Sequence, residues 1–141
     1  MKDVKAILSA AWIFYMFNQA YGDITTLYYS IFINTTPSVH YTNTFLLFGA
    51  ILVEPAMAMI VLSRILKYRV NRLANIVVAI ALTAVSAVSL FVGTPTPVYA
   101  FIAVISIGTG VAVAWVAWTW VDTSGEAGAT HPVPTPAPQV L

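Results

Sequence analysis

The sequence predicts an all-α polytopic membrane protein whose four transmembrane helices form an antiparallel up-down bundle. Three observations predict it: an apolar composition, four long apolar segments, and cations confined to two regions of the chain. Of the 141 residues, 60% are hydrophobic and only 8% are charged, whereas soluble domains carry about 25% charged residues. A chain with so few charges cannot cover a water-facing surface of its own size, so lipid must surround most of it.

Four segments are long enough to cross a bilayer, which requires about 20 mostly apolar residues. We expect spans at about residues 6–33, 43–63, 73–92 and 98–121. The first is interrupted by the polar cluster FNQAYGD, and the second carries one ionisable residue, Glu54. Turn-forming residues and prolines follow the first and third spans, in NTTPSV and GTPTP. The link RILKYRVNR has no such breaker, so we expect both flanking helices to continue to the membrane surface.

These spans define residues 1–122 as one four-helix transmembrane domain. Residues 123–141 are rich in Pro, Ala and Thr and have no apolar periodicity, which predicts a flexible cytoplasmic tail. The chain has no cysteine, and His131 in the tail has no neighbouring residues suited to complete a ligand set. Phosphate-binding, dinucleotide-binding and catalytic-triad motifs are also absent from the sequence. We therefore expect no metal, no cofactor and no enzymatic activity.

The orientation follows from the cations. All six lie before the first span or between the second and third: Lys2, Lys5, Arg64, Lys67, Arg69 and Arg72. The two opposite loops carry no charge, so the positive-inside rule places both termini in the cytoplasm of a multi-pass cell-membrane protein. Arg64, Lys67, Arg69 and Arg72 are candidates for contact with anionic lipid headgroups, although a role in setting topology alone is the reading we favour. A net charge of +1 argues against a nucleic-acid partner.

Asp23 and Glu54 are the candidate site. At helical rise each lies about 15 Å below the outer boundary of its span. A carboxylate near the bilayer centre costs about 2.5–3.5 kcal/mol on insertion scales, so we expect both to face the bundle interior and to find hydrogen-bonding partners there. Asn18, Gln19 and Tyr21 complete the set of ligand-binding or proton-titratable candidates. The alternative is a structural polar clasp that fixes the register of the helices.

Small residues recur every four positions in the fourth span, at Ser106, Gly110 and Ala114. Such rows allow helices to approach closely in lipid. We expect packing within the bundle rather than a dedicated dimer face, with Thr83 and Ala87 of the third span as opposing positions.

The stretch ILVEPAMAMIVLSRILKYRVNRLANI, residues 51–76, resembles a family of small prokaryotic four-helix integral membrane proteins classed as a domain of unknown function. The similarity extends to WIF at 12–14, Asn18 and YGD at 21–23, to LFVGTP at 90–95, and to the Trp-rich end of the fourth span. It covers about residues 5–120. Members of that family place an Ile between the glutamate and the proline, whereas here Pro55 follows Glu54 directly. The resemblance implies a four-helix membrane bundle and no assigned activity.

Two function classes follow from these observations. The favoured one is a non-enzymatic accessory or structural membrane subunit, whose partners are the lipid bilayer and other membrane subunits or further copies in a homo-oligomer. The alternative is a carrier or binder of a small lipophilic or cationic ligand that uses Asp23 and Glu54. An intramembrane enzyme acting on a quinone or lipid ranks third, because the sequence offers only the carboxyls for it.

Overall fold

The computed structural model describes residues 3–32, 42–91 and 96–121. Within these ranges the chain forms four α-helices: α1 (Val4–Phe32), α2 (Asn43–Ile65), α3 (Tyr68–Ser89) and α4 (Pro97–Thr119). The all-helical prediction is confirmed. The predicted tail, residues 123–141, and most of the two uncharged loops lie outside the described residues.

The helix ends follow local chemistry. Asp3 precedes α1, and its Oδ1 accepts a hydrogen bond from the backbone N–H of Ala6 at 3.2 Å. Thr96 precedes α4, and its Oγ1 accepts from the N–H of Tyr99 at 3.3 Å, while Pro97 occupies the first helical position. Both arrangements satisfy backbone donors that a helix start leaves unpaired. Only residues 66 and 67 separate α2 from α3, as expected for a link without a strong breaker.

Three of the four helices are long and apolar enough to cross a membrane, over Leu47–Ile65, Tyr68–Ser89 and Pro97–Thr119. The first helix is not among them, although it is the longest, with 29 residues. Its polar residues, including Asn18, Gln19 and Asp23, lower its mean hydropathy. Whether α1 crosses a membrane therefore depends on where those polar side chains point.

The helices pack in a ring. α3 lies against α4, α1 lies against both α2 and α4, and α2 has a smaller contact with α3. The start of α1 meets the end of α2, where Lys5 Nζ donates to the carbonyl of Leu66 at 2.8 Å. The start of α3 meets the end of α4, where Tyr68 Oη donates to the carbonyl of Trp120 at 2.6 Å.

The core lies toward the end of the bundle that these contacts define. Its buried apolar side chains come from all four helices: Leu8, Trp12, Tyr15, Ala56, Met59, Ala79, Leu82, Val113 and Ala117. Trp12 and Tyr15 pack edge to face, with ring centroids 5.8 Å apart. The second half of α1 and the first half of α2 contribute no side chain to this cluster. Packing is therefore tightest at the cation-rich end of the bundle.

Candidate functional site

Glu54 lies on the outside of the bundle, and the prediction that it faces the interior is wrong. The face of α2 that enters the core carries Ala56, Met59 and Ser63, which are at most 2% exposed. Glu54 precedes Ala56 by two positions, or about 200° around a helix, and its side chain is exposed. Because α2 is apolar on nearly every face, its sequence contains no polar stripe that would have revealed this orientation.

A shallow groove of about 510 Å³ surrounds Glu54 on this outer face. It is lined by Ala50, Ile51, Glu54, Pro55 and Ala58. Pro55 has no N–H and cannot donate to the carbonyl of Ile51, its partner position in the helical ladder. Glu54 forms no hydrogen bond or ion pair with any other described residue. The groove therefore brings together a carboxyl group and a backbone carbonyl that lacks its usual donor.

Asp23 is also exposed, so the same prediction is wrong for the second acid. Trp12 and Gln19 of the same helix turn toward the bundle, where both are hydrogen-bonded. The packing of α1 against α4 extends to Gly22, where a β-carbon would lie 3.1 Å from Ile102 Cδ1. Beyond Gly22, α1 moves clear of the core. Asp23 is therefore exposed, although it was expected to face the bundle interior. Tyr21, another candidate, is 64% exposed.

Asn18 and Gln19 come together, but with Ser106 of α4 rather than with either acid. Asn18 Nδ2 donates to Ser106 Oγ at 2.9 Å and to the carbonyl of Ile102 at 3.0 Å. Ser106 Oγ in turn donates to Gln19 Oε1 at 2.9 Å. Ser106 is fully buried. These hydrogen bonds fasten α1 to α4 and occupy two of the predicted site residues.

A second polar cluster, which sequence reasoning missed, joins α1, α2 and α3. Asn75 Oδ1 accepts hydrogen bonds from Trp12 Nε1 at 2.7 Å and from Ser63 Oγ at 3.2 Å. Asn75 Nδ2 donates to the Oδ1 and the carbonyl of Asn71, at 2.7 and 2.9 Å. Asn71 Nδ2 donates to the carbonyl of Ser63 at 2.6 Å. We call Trp12, Ser63, Asn71 and Asn75 the asparagine cluster.

The asparagine cluster is fully buried, with each member at most 1% exposed, and both amide groups have partners for donor and acceptor atoms. A buried network of this kind stabilises and specifies packing only when every member is satisfied. The available sequence signal was the i, i+4 pair of asparagines at the start of α3, on the same face of the helix. Because cations flank these asparagines, the sequence around them was interpreted as part of a link at the membrane surface.

Two cations bind the carboxyl ends of neighbouring helices. Lys5 reaches Leu66 at the end of α2, as described above, and Arg72 Nη2 donates to the carbonyl of Trp118 near the end of α4 at 2.9 Å. The Arg72 guanidinium also lies over the Trp118 ring, 5.7 Å from its centroid. A positive charge is favourable there because helix carboxyl ends carry partial negative charge.

Three of the predicted headgroup candidates are exposed: Arg64, Lys67 and Arg69. Lipid contact by these residues stays a prediction, and Arg72 would have to exchange its helix-end contacts to join them. Among the residues that the structure describes, no group of three or more His, Asp or Glu side chains is placed to hold a metal ion.

In its described part the chain is all-helical, with three helices able to cross a membrane, hydrogen-bonded polar clusters in its interior, and exposed acids at Asp23 and Glu54. Residues 1–126 match a family of unknown function, DUF6326, and the chain is a member of that family. The predicted resemblance to a family of unknown function is thereby confirmed. Neither the curated proteins nor the solved structures include a match to this chain.

Proposed function

We propose that the chain is a multi-pass protein of the cell membrane with α1 as a fourth span and both termini in the cytoplasm, and that it serves as a non-enzymatic structural or accessory subunit of a membrane complex. One observation carries the proposal. Asn18, Gln19 and the asparagine cluster are hydrogen-bonded within the bundle, whereas Glu54 faces outward and Asp23 is exposed beyond the core. Polar groups on the outside of a membrane bundle favour contact with another protein, because lipid offers them no partner.

The contacts of α1 support its assignment as a span. Its 29 residues extend about 43 Å at helical rise, more than the roughly 30 Å of a hydrocarbon core. Trp12, Asn18 and Gln19 turn toward protein and are hydrogen-bonded there, so they need not face lipid. The contacts between the start of α1 and the end of α2, and between the start of α3 and the end of α4, support an up-down arrangement.

The geometry favours a subunit over a carrier. A carrier of the predicted kind needs Asp23 and Glu54 in one site, with Asn18 and Gln19 free to contact a ligand. In the described part of the chain, Glu54 shares its groove with residues of α2 alone. Asn18 and Gln19 are already bonded to Ser106. A ligand would have to displace these contacts before it could use them.

Purification from the host's own membranes tests the proposal. The full chain, carrying a small tag and expressed at its native level, is extracted in mild detergent and analysed by size exclusion and native mass spectrometry. We expect a stoichiometric assembly with at least one other membrane protein. The same extraction from untagged cells is the control for adventitious binding. A chain recovered alone, or only with further copies of itself, would contradict the accessory role.

A further inference from the structure

We infer that the groove around Glu54 is the contact surface for a second copy of this chain, with α2 of each copy packed against α2 of the other. The inference rests on the proposed four-span arrangement and names one partner that the outer face of α2 would bind. It does not depend on whether further proteins join the complex.

Glu54 lies near the middle of the proposed span formed by α2. The residue lies eleven positions after Asn43, about 16 Å along the helix, which places it near the middle of the membrane. Its side chain points away from the core and has no partner among the described residues. A carboxyl at that depth is unfavourable against acyl chains, which offer it no hydrogen-bond partner. Contact with hydrogen-bonding protein groups would remove much of that penalty.

A second copy supplies the complementary group. In its neutral form the Glu54 carboxyl donates one hydrogen bond, and the carbonyl of Ile51 accepts one because Pro55 cannot fill it. Ile51 is 60% exposed and lies in the same groove, about 4.5 Å along the axis from Glu54. In a twofold pair each copy offers the same patch to the other. The donor of each copy would then meet the acceptor of its neighbour, twice in one interface.

The shape of the face also suits close approach. Ala50 and Ala58 lie one turn before and one turn after Glu54, and small side chains at such positions let helix backbones come together in lipid. The two copies would share one orientation, because the described cations lie at the same end of the bundle: Lys5, Arg64, Lys67, Arg69 and Arg72. Their α2 helices would therefore run parallel about a twofold axis normal to the membrane. None of the Lys and Arg residues that the structure describes lies at this depth, so hydrogen bonding rather than ion pairing fits a second copy.

Fluorescence energy transfer in liposomes tests the inference. The chain has no cysteine, so Lys67→Cys in the exposed link provides a single labelling site for donor and acceptor dyes. The labelled full chain is reconstituted into phosphatidylcholine liposomes containing phosphatidylglycerol, over a range of protein-to-lipid ratios. We expect transfer that decreases on dilution with lipid, as for a reversible dimer, and that exceeds transfer by random proximity.

Three variants define the contact. Glu54→Ala should weaken self-association at least about fivefold, as expected from loss of interhelical hydrogen bonds. Glu54→Gln keeps a donor and an acceptor and should retain it. Ala58→Leu preserves Glu54 but blocks close approach, so it should also weaken association. Asp23→Ala, which removes the exposed acid of α1, is the matched control and should behave like the parent chain.

Effects of the variants on folding can be distinguished from their effects on self-association. Glu54 and Ala58 are exposed, so circular dichroism and thermal unfolding of their variants should match those of the parent. Equal transfer in the parent and in both Glu54→Ala and Ala58→Leu would overturn the inference, as would transfer no greater than random. If a larger assembly were still recovered from native membranes, the proposed function would stand without the dimer. If a Glu54-dependent dimer were recovered without other proteins, the inference would stand and the accessory role would be contradicted.

Discussion

Asn75 connects three helices through one amide group. Its Oδ1 accepts from Trp12 of α1 and Ser63 of α2, and its Nδ2 donates to Asn71 within α3. At a fully buried position water cannot easily replace a lost hydrogen-bond partner. An unsatisfied buried donor therefore lowers the free energy of unfolding by about 1–3 kcal/mol. The Trp12 indole is therefore held in one orientation by a hydrogen bond as well as by packing.

Trp12 and Asn75 should be energetically coupled. Asn75→Ala leaves the Trp12 and Ser63 donors without their acceptor, and we expect it to lower the free energy of unfolding by about 1–3 kcal/mol. Trp12→Phe removes one donor, so the double variant should be more stable than the sum of the single effects predicts, by about 0.5 kcal/mol or more. Reversible unfolding in mixed detergent micelles measures the cycle. Thr119→Ala, at an exposed hydroxyl bonded within its own helix, is the control. Additive effects would show that the bond contributes nothing.

The orientation of Glu54 marks the limit of sequence prediction at this scale. Its depth followed from counting residues, but its direction depends on which face of an almost uniformly apolar helix packs inward. For Asp23 the face was predicted correctly, and the error lay in assuming that packing continued to that level. The acceptor of the Trp12 indole lies sixty-three residues away in the sequence, so periodicity alone could not pair the two residues.

Among the helices, α3 and α4 make the most extensive contact, and Gly110 explains how closely they approach. A β-carbon at Gly110 would overlap Thr83 Oγ1 and would lie 3.4 Å from the carbonyl of Ala79. The predicted opposition of Thr83 and the small-residue row of α4 is confirmed. Thr83 Oγ1 is buried and has no hydrogen-bond partner among the described residues. In contrast, Gly108 has open space around its β position.

The two glycines should respond differently to alanine. Gly110→Ala forces α3 and α4 apart, and we expect a loss of about 1–3 kcal/mol, as for overpacked cores. Gly108→Ala should be neutral or stabilising by up to about 1 kcal/mol, because alanine has the higher helix propensity. Adding Thr83→Ala removes the overlapping atom and should restore most of the stability lost in Gly110→Ala. Thermal unfolding in detergent followed by circular dichroism measures all three. Equal effects at both glycines would contradict the packing argument.

The extent of the helices was predictable because local chemistry sets it. Thr96 and Pro97 mark the start of α4, and each of α2, α3 and α4 contains a long, predominantly apolar segment. For α1 the length and the hydropathy disagree. The helix has 29 residues, enough for a span, but the polar cluster at residues 17–23 lowers the hydropathy of its middle. Only the three-dimensional structure shows that Asn18 and Gln19 are hydrogen-bonded to Ser106 and so have partners inside the bundle.

Across the whole molecule, the cations have two distinct uses. Lys5 and Arg72 bind helix carboxyl ends within the bundle, whereas Arg64, Lys67 and Arg69 stay exposed at the same end. The internal contacts join α1 to the end of α2 and α3 to the end of α4. In the proposed topology, the exposed cations Arg64, Lys67 and Arg69 would keep their end of the bundle in the cytoplasm. In that topology, the same group of cations would therefore contribute to both the fold and the orientation.

The proposed topology can be tested with single cysteines, since the native chain has none. Ser38→Cys and Thr94→Cys fall in the two uncharged loops, and Lys2→Cys and Lys67→Cys fall in the cation-rich regions. In intact cells a membrane-impermeant maleimide should label the first pair, because the positive-inside rule places those loops outside. The second pair should be labelled only after permeabilisation. Labelling of Lys2→Cys from outside, with Lys67→Cys still protected, would show that α1 does not span the membrane in the proposed way. Complete labelling of all four in detergent is the control for reactivity.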